Sequence, residues 1–110
     1  GGADTFNMLV PQDCPLYQEY RDVRTDLALD PSELLPITTV GQDCAKFGLH
    51  SRLSFLKSLY DSGEAALVSN VGNLVEPTTL QGFKSGQAQQ CFGLFSHSDQ
   101  QTGAQTLKCQ

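Results

Sequence analysis

The sequence predicts an α/β fold with a mostly parallel sheet, and two observations lead there. Leu53, Leu56 and Tyr60 fall on one helical stripe with Leu49, Leu59 lies beside them, and Gly63 closes a helix expected over residues 51–62. The run Ala65-Ala66-Leu67-Val68-Ser69-Asn70-Val71 that follows has strand length and little polar alternation, the pattern of a parallel strand covered on both faces. At the far end, Cys91-Phe92-Gly93-Leu94-Phe95 reads as a short buried strand, and Gln100 to Leu107 as the start of a helix. A strand end meeting a helix start is where α/β folds hold their chemistry. At 110 residues the chain is expected to form a single domain with a modest core.

The remaining elements follow from local signals. Phe6 to Val10 is an apolar run closed by Pro11, expected as a strand or extended exit at a sheet edge. Pro15 suits a first helical position, and Leu16, Tyr17, Tyr20 and Val23 recur at helical spacing, so residues 15–24 read as a helix. Leu27-Ala28-Leu29 is a brief extended piece. Asp30-Pro31-Ser32-Glu33 then offers an acidic cap, a proline in the first turn and a glutamate three residues on, the signature of a single helical turn. Residues 36–46 lack periodicity and read as a loop holding at most one short strand. Residues 73–90 read as a long polar loop with a helical turn near Leu80 to Phe83.

Composition narrows the function classes. A net charge of −5, with no Lys/Arg cluster interleaved with aromatics, argues against nucleic-acid binding. No apolar run approaches the ~20 residues that span a bilayer, so no membrane span is expected. Charged residues are only 17% of the chain, so its solubility rests on neutral polar groups. The cysteines at 14, 44, 91 and 109 contain no C-x-x-C pair, which removes a zinc knuckle or thioredoxin-like motif. Two disulfides are possible. Because each pair flanks polar loops within one half of the chain, Cys14–Cys44 with Cys91–Cys109 is the preferred pairing; buried free thiols are the alternative.

The densest chemistry lies in Ser96-His97-Ser98-Asp99, two hydroxyls, an imidazole and a carboxylate in four consecutive positions. The same residues also read as a helix cap, with Ser96 or Ser98 bonding the N–H groups ahead of Gln101. Asp4 sits beside Gly1 and Gly2, with Asn7 three residues on as a possible partner in an anion site; both residue types are also common in solvated turns. His50 precedes a helix and reads as a ligand or a cap, and Asn73 follows the apolar run in a Gly-Asn turn signal.

Three segments appear together in a familiar order: Gly1-Gly2-Ala3-Asp4-Thr5-Phe6-Asn7, Phe47-Gly48-Leu49-His50, and Leu56-Lys57-Ser58-Leu59-Tyr60-Asp61-Ser62-Gly63. On these the chain resembles the domain-of-unknown-function 1501 family of the alkaline phosphatase and sulfatase superfamily. The resemblance spans nearly all of the chain but only the front part of the family's length. It implies a partial three-layer α/β/α sheet, incomplete at both ends, and an N-terminal portion of a hydrolase acting on phosphate or sulfate esters. It further implies a divalent metal, zinc, manganese or calcium, that activates a hydroxyl and neutralises ester oxygens. Carried onto this chain, Asp4 and Asp99 would be metal ligands, and Ser96, His97 and Ser98 would be catalytic. The partners implied are a small anionic ester and the remainder of the full-length chain, in an extracytoplasmic or secreted setting, with these 110 residues inactive alone. A non-catalytic binding or structural domain, or a fragment without independent function, are the competing expectations.

Overall fold

A computed structural model describes residues 4–93 and 96–108. The chain divides into two compact units, Gly1–Leu67 and Val68–Gln110.

The first unit is built on three strands, β1 (Leu9–Gln12), β2 (Leu34–Thr38) and β3 (Lys46–His50), in the order β1-β3-β2 with both pairings antiparallel. This overturns the expectation of a mostly parallel, three-layer alkaline phosphatase-like sheet. The reason lies in the connections. Residues 39–45 join β2 to β3, which suffices for an antiparallel return, whereas a parallel neighbour needs a crossover of a dozen or more residues. The apolar run 65–71 forms no strand, and Val68 and Val71 are each 80% exposed. Hydrophobicity alone does not make a strand without an edge to pair with.

Register sets the core. Val10 and Leu34 share one face of the sheet, Ile37 and Leu49 the other, and all four are buried, so the sheet is covered on both sides. The helix α1 (Pro15–Arg24) packs near β1, and α2 (Ser54–Asp61) near β2. Both outer strands contain proline, Pro11 and Pro36, where a missing N–H costs no ladder bond. Central β3 instead carries Gly48, over which the Gln12 amide and the Leu34 side chain close; a Cβ there would come 2.7 Å from the Leu34 Cβ.

Local signals place the helices. Pro15 occupies the first turn of α1, and Arg21 and Arg24 occupy its last, where cations complement the exposed carbonyls. Before β2, the Glu33 carboxylate accepts the Asp30 N–H at 3.0 Å and fixes the single turn Pro31–Glu33. A turn over Ser51–Leu53 leads into α2, which ends before Gly63 at φ 76°, a left-handed conformation that favours glycine. Cys14, just before α1, is disulfide-bonded to the buried Cys44 ahead of β3. Cys91 is disulfide-bonded too, and its expected partner Cys109 lies outside the described residues.

The second unit carries α3 (Leu80–Ser85) and α4 (His97–Thr106). Cys91 is not in a strand, Phe92 and Gly93 form a turn rather than the expected buried strand, and Phe92 is 76% exposed; Leu94 and Phe95 lie outside the described residues. Asn73 donates from Nδ2 to the Gln100 carbonyl at 3.1 Å and lies over Gly103, the buried residue of α4. Among the described residues no helix is long and apolar enough to cross a membrane.

Candidate functional site

Asp4, Asn7, Met8, His50, Arg52 and Leu53 line one pocket of about 370 Å³ in the first unit. Two chain segments meet there. The turn Thr5–Asn7 leads into edge strand β1, and the end of β3 runs into the turn Ser51–Leu53, with the His50 N–H bonded to the Met8 carbonyl at 3.1 Å. Antiparallel pairing of β1 with β3 therefore brings the Asp4–Asn7 end of one segment beside the His50–Arg52 end of the other.

Each polar side chain has a defined state. Asp4 pairs with Arg24, whose side chain is 18% exposed and stands 5.8 Å over the Phe6 ring, so the carboxylate's charge is already offset. Asn7 is clamped in orientation: its Oδ1 accepts from the Tyr20 hydroxyl at 2.8 Å and its Nδ2 donates to the Leu27 carbonyl at 2.8 Å. One Nδ2 hydrogen remains for a ligand. The Tyr20 hydroxyl also accepts the Leu29 N–H at 2.8 Å, tying this clamp to the backbone after α1. His50 Nδ1 accepts the Arg52 N–H at 3.1 Å, which puts the proton of a neutral imidazole on Nε2. Arg52 is exposed and has no ion-pair partner among the described residues.

The pocket is thus rich in donors: the Arg52 guanidinium, His50 Nε2–H and an Asn7 N–H. That set matches the oxygens of a tetrahedral oxyanion. It does not match a metal ion. A divalent ion would find the Asp4 carboxylate engaged by Arg24 and the His50 nitrogen carrying its proton, and no group of three or more His, Cys, Asp or Glu able to hold a metal occurs among the described residues.

The Ser96-His97-Ser98-Asp99 cluster belongs to the second unit and forms the start of α4. Ser96 is its N-cap, with Oγ accepting the Asp99 N–H at 3.4 Å and lying 3.1 Å from the Ser98 Oγ. His97 is exposed in the first turn, and Asp99 places a carboxylate where the helix N-terminus favours negative charge. Gly93, at φ 66°, passes directly beneath the Asp99 carboxylate. The cap reading of this cluster is the one its hydrogen bonds express.

No family model, curated protein or solved structure matches the chain.

Of the residues singled out from the sequence, Asp4, Asn7 and His50 share the pocket, Ser96 to Asp99 form one helical turn, and Asn73 packs on α4. Arg24, Arg52 and Tyr20 escaped sequence reasoning. Arg24 and Tyr20 lie on the helix that follows the Asp4–Asn7 segment, so a cation and a hydroxyl facing back toward an upstream Asp and Asn was the available signal.

Proposed function

We propose that the pocket of Asp4, Asn7, His50 and Arg52 recognises the oxyanion of a phosphate or sulfate ester, as part of an exported, hydrolase-like protein. The observation that carries this reading is that Asn7, His50 and Arg52, each with a donor not used within the protein, line one concave site in a chain whose net charge is −5. Arg52 offers a planar fork for two anion oxygens, the His50 Nε2–H and the Asn7 amide add neutral donors, and Arg24 keeps Asp4 from repelling the ligand. A divalent metal enters this reading only with ligands from the remainder of the full-length chain. The ester chemistry comes from the sequence resemblance, and the disulfide Cys14–Cys44 agrees with an oxidising, extracytoplasmic setting.

The test is calorimetric titration with phenyl phosphate and phenyl sulfate. Saturable binding is expected, weakened about tenfold or more in Arg52→Ala as charge-assisted hydrogen bonds are lost. Binding that survives unchanged in Arg52→Ala overturns the assignment. Zinc, manganese and calcium are expected to leave the unfolding temperature of this chain unchanged; stabilisation abolished by Asp4→Ala would restore the metal to the site.

The capping of α4 favours a second reading, a binding or structural domain without catalysis. Ser96 caps the helix N-terminus and Asp99 places its carboxylate in the first turn, so residues expected to act as nucleophile and ligand have a structural role there.

A further inference from the structure

We propose that a second pocket in the first unit binds a small neutral molecule through an amide-like edge, with Gln12 as its polar anchor. The pocket encloses about 400 Å³, the small end of the range for ligand sites, and is lined by Gln12, Asp13, Cys14, Tyr17, Pro31, Pro36 and Lys46. Its walls are the Tyr17 ring, two proline rings and the disulfide-bonded Cys14.

Gln12 is the unusual member. It closes edge strand β1, is only 8% exposed, and is the one buried polar residue of the described core. Buried amides are ordinarily hydrogen-bonded. The Gln12 side chain has no hydrogen-bond partner among the described residues, yet neither of its polar atoms is sealed from solvent. An amide presents a donor and an acceptor side by side, so its complement is a group with the same pair in reverse: a carboxamide, a lactam or the edge of a heterocyclic base. Gly48 supports the placement, since any Cβ there would come 2.9 Å from Gln12 Nε2 and displace the amide.

The charges lining the pocket balance and call for no countercharge on a ligand. Lys46 and Asp13, the two charged residues lining the pocket, pair with each other at 3.0 Å and cancel. With those charges already matched, a flat neutral ligand lies against the tyrosine and proline surfaces that line the pocket while its amide edge satisfies Gln12. The Tyr17 hydroxyl is already committed to the Leu29 carbonyl at 3.1 Å, which holds the ring as a wall and leaves the polar recognition to Gln12.

Benzamide is the probe, a primary carboxamide on a flat apolar ring, followed by ¹H–¹⁵N NMR on the intact 110-residue chain. The expected result is a saturable shift of the Gln12 side-chain amide pair together with the Lys46 backbone signal, and an affinity about tenfold or more weaker in Gln12→Met. Failure of the wild-type Gln12 amide to shift up to the solubility of benzamide overturns the proposal. So does equal affinity in a folded Gln12→Met protein. Should Gln12→Met not fold, the wild-type side-chain shift decides, and benzoate is expected to leave that signal unmoved.

Discussion

Gly48 and Leu34 meet across the sheet so closely that a Cβ at position 48 would lie 2.7 Å from the Leu34 Cβ and 2.9 Å from its Cδ1. The contact sits where the central strand passes under a buried leucine of the outer strand, so neither partner has room to retreat. Gly48→Ala is therefore expected to destabilise the first unit by about 1–3 kcal/mol through overpacking, against the modest gain alanine brings by replacing glycine in a strand. Urea unfolding of the variant checks this, and an unchanged midpoint would show that the strands separate at no cost.

The Cys14–Cys44 bond closes a loop with a sequence separation of 30 that contains α1 and β2. Loop-closure entropy puts its contribution at about 3.5 kcal/mol. Cys14→Ser together with Cys44→Ser is expected to lower the unfolding free energy by that order, and denaturant unfolding against wild type reads it directly.

How much of this was legible in the sequence depended on whether the signal was local. Pro15 with the apolar spacing after it marked α1, Glu33 three residues after Asp30 marked a turn, and the Ser96/Ser98 pair marked a cap near the start of α4 without deciding between the two, because caps and first turns depend on neighbours in the chain. Pairing was not legible. Pro36 read as a breaker inside a loop, yet it sits within β2, an outer strand whose free edge needs no N–H at that position. Ala65 to Val71 read as a buried strand on hydrophobicity, but a strand exists only where another supplies its hydrogen bonds, and none does there. The same limit applies to the site. Asp4, Asn7 and His50 were visible as residue types, while their meeting required the β1–β3 register, and Arg24 and Tyr20 required the packing of α1.

Ser96 and Ser98 separate capping from catalysis by their stability effects. Ser96→Ala removes the acceptor for the Asp99 N–H and is expected to cost about 1 kcal/mol, whereas Ser98→Ala loses only the hydroxyl contact with Ser96 and is expected to cost less than half as much. Equal effects on the unfolding of α4, followed by circular dichroism, would contradict the assignment of Ser96 as the cap.

Gly103 offers a reversal of an ordinary propensity. Alanine in place of a helical glycine normally stabilises by about 1 kcal/mol. Here a Cβ would come 2.7 Å from Asn73 Nδ2, which is held by its bond to the Gln100 carbonyl. Gly103→Ala is expected to be neutral or destabilising in wild type and stabilising in an Asn73→Ala background. A double-mutant cycle measures the difference.

The most direct measurement of the central claim is an NMR titration of the chain with inorganic phosphate at constant ionic strength, following the Asn7 side-chain amide, the His50 ring and the Arg52 guanidinium. Recognition of an oxyanion by this pocket predicts saturable shifts at all three with one dissociation constant, and their loss together in Arg52→Ala. Shifts confined to scattered surface lysines, or an Asn7 amide that stays fixed while Arg52 moves, would contradict it.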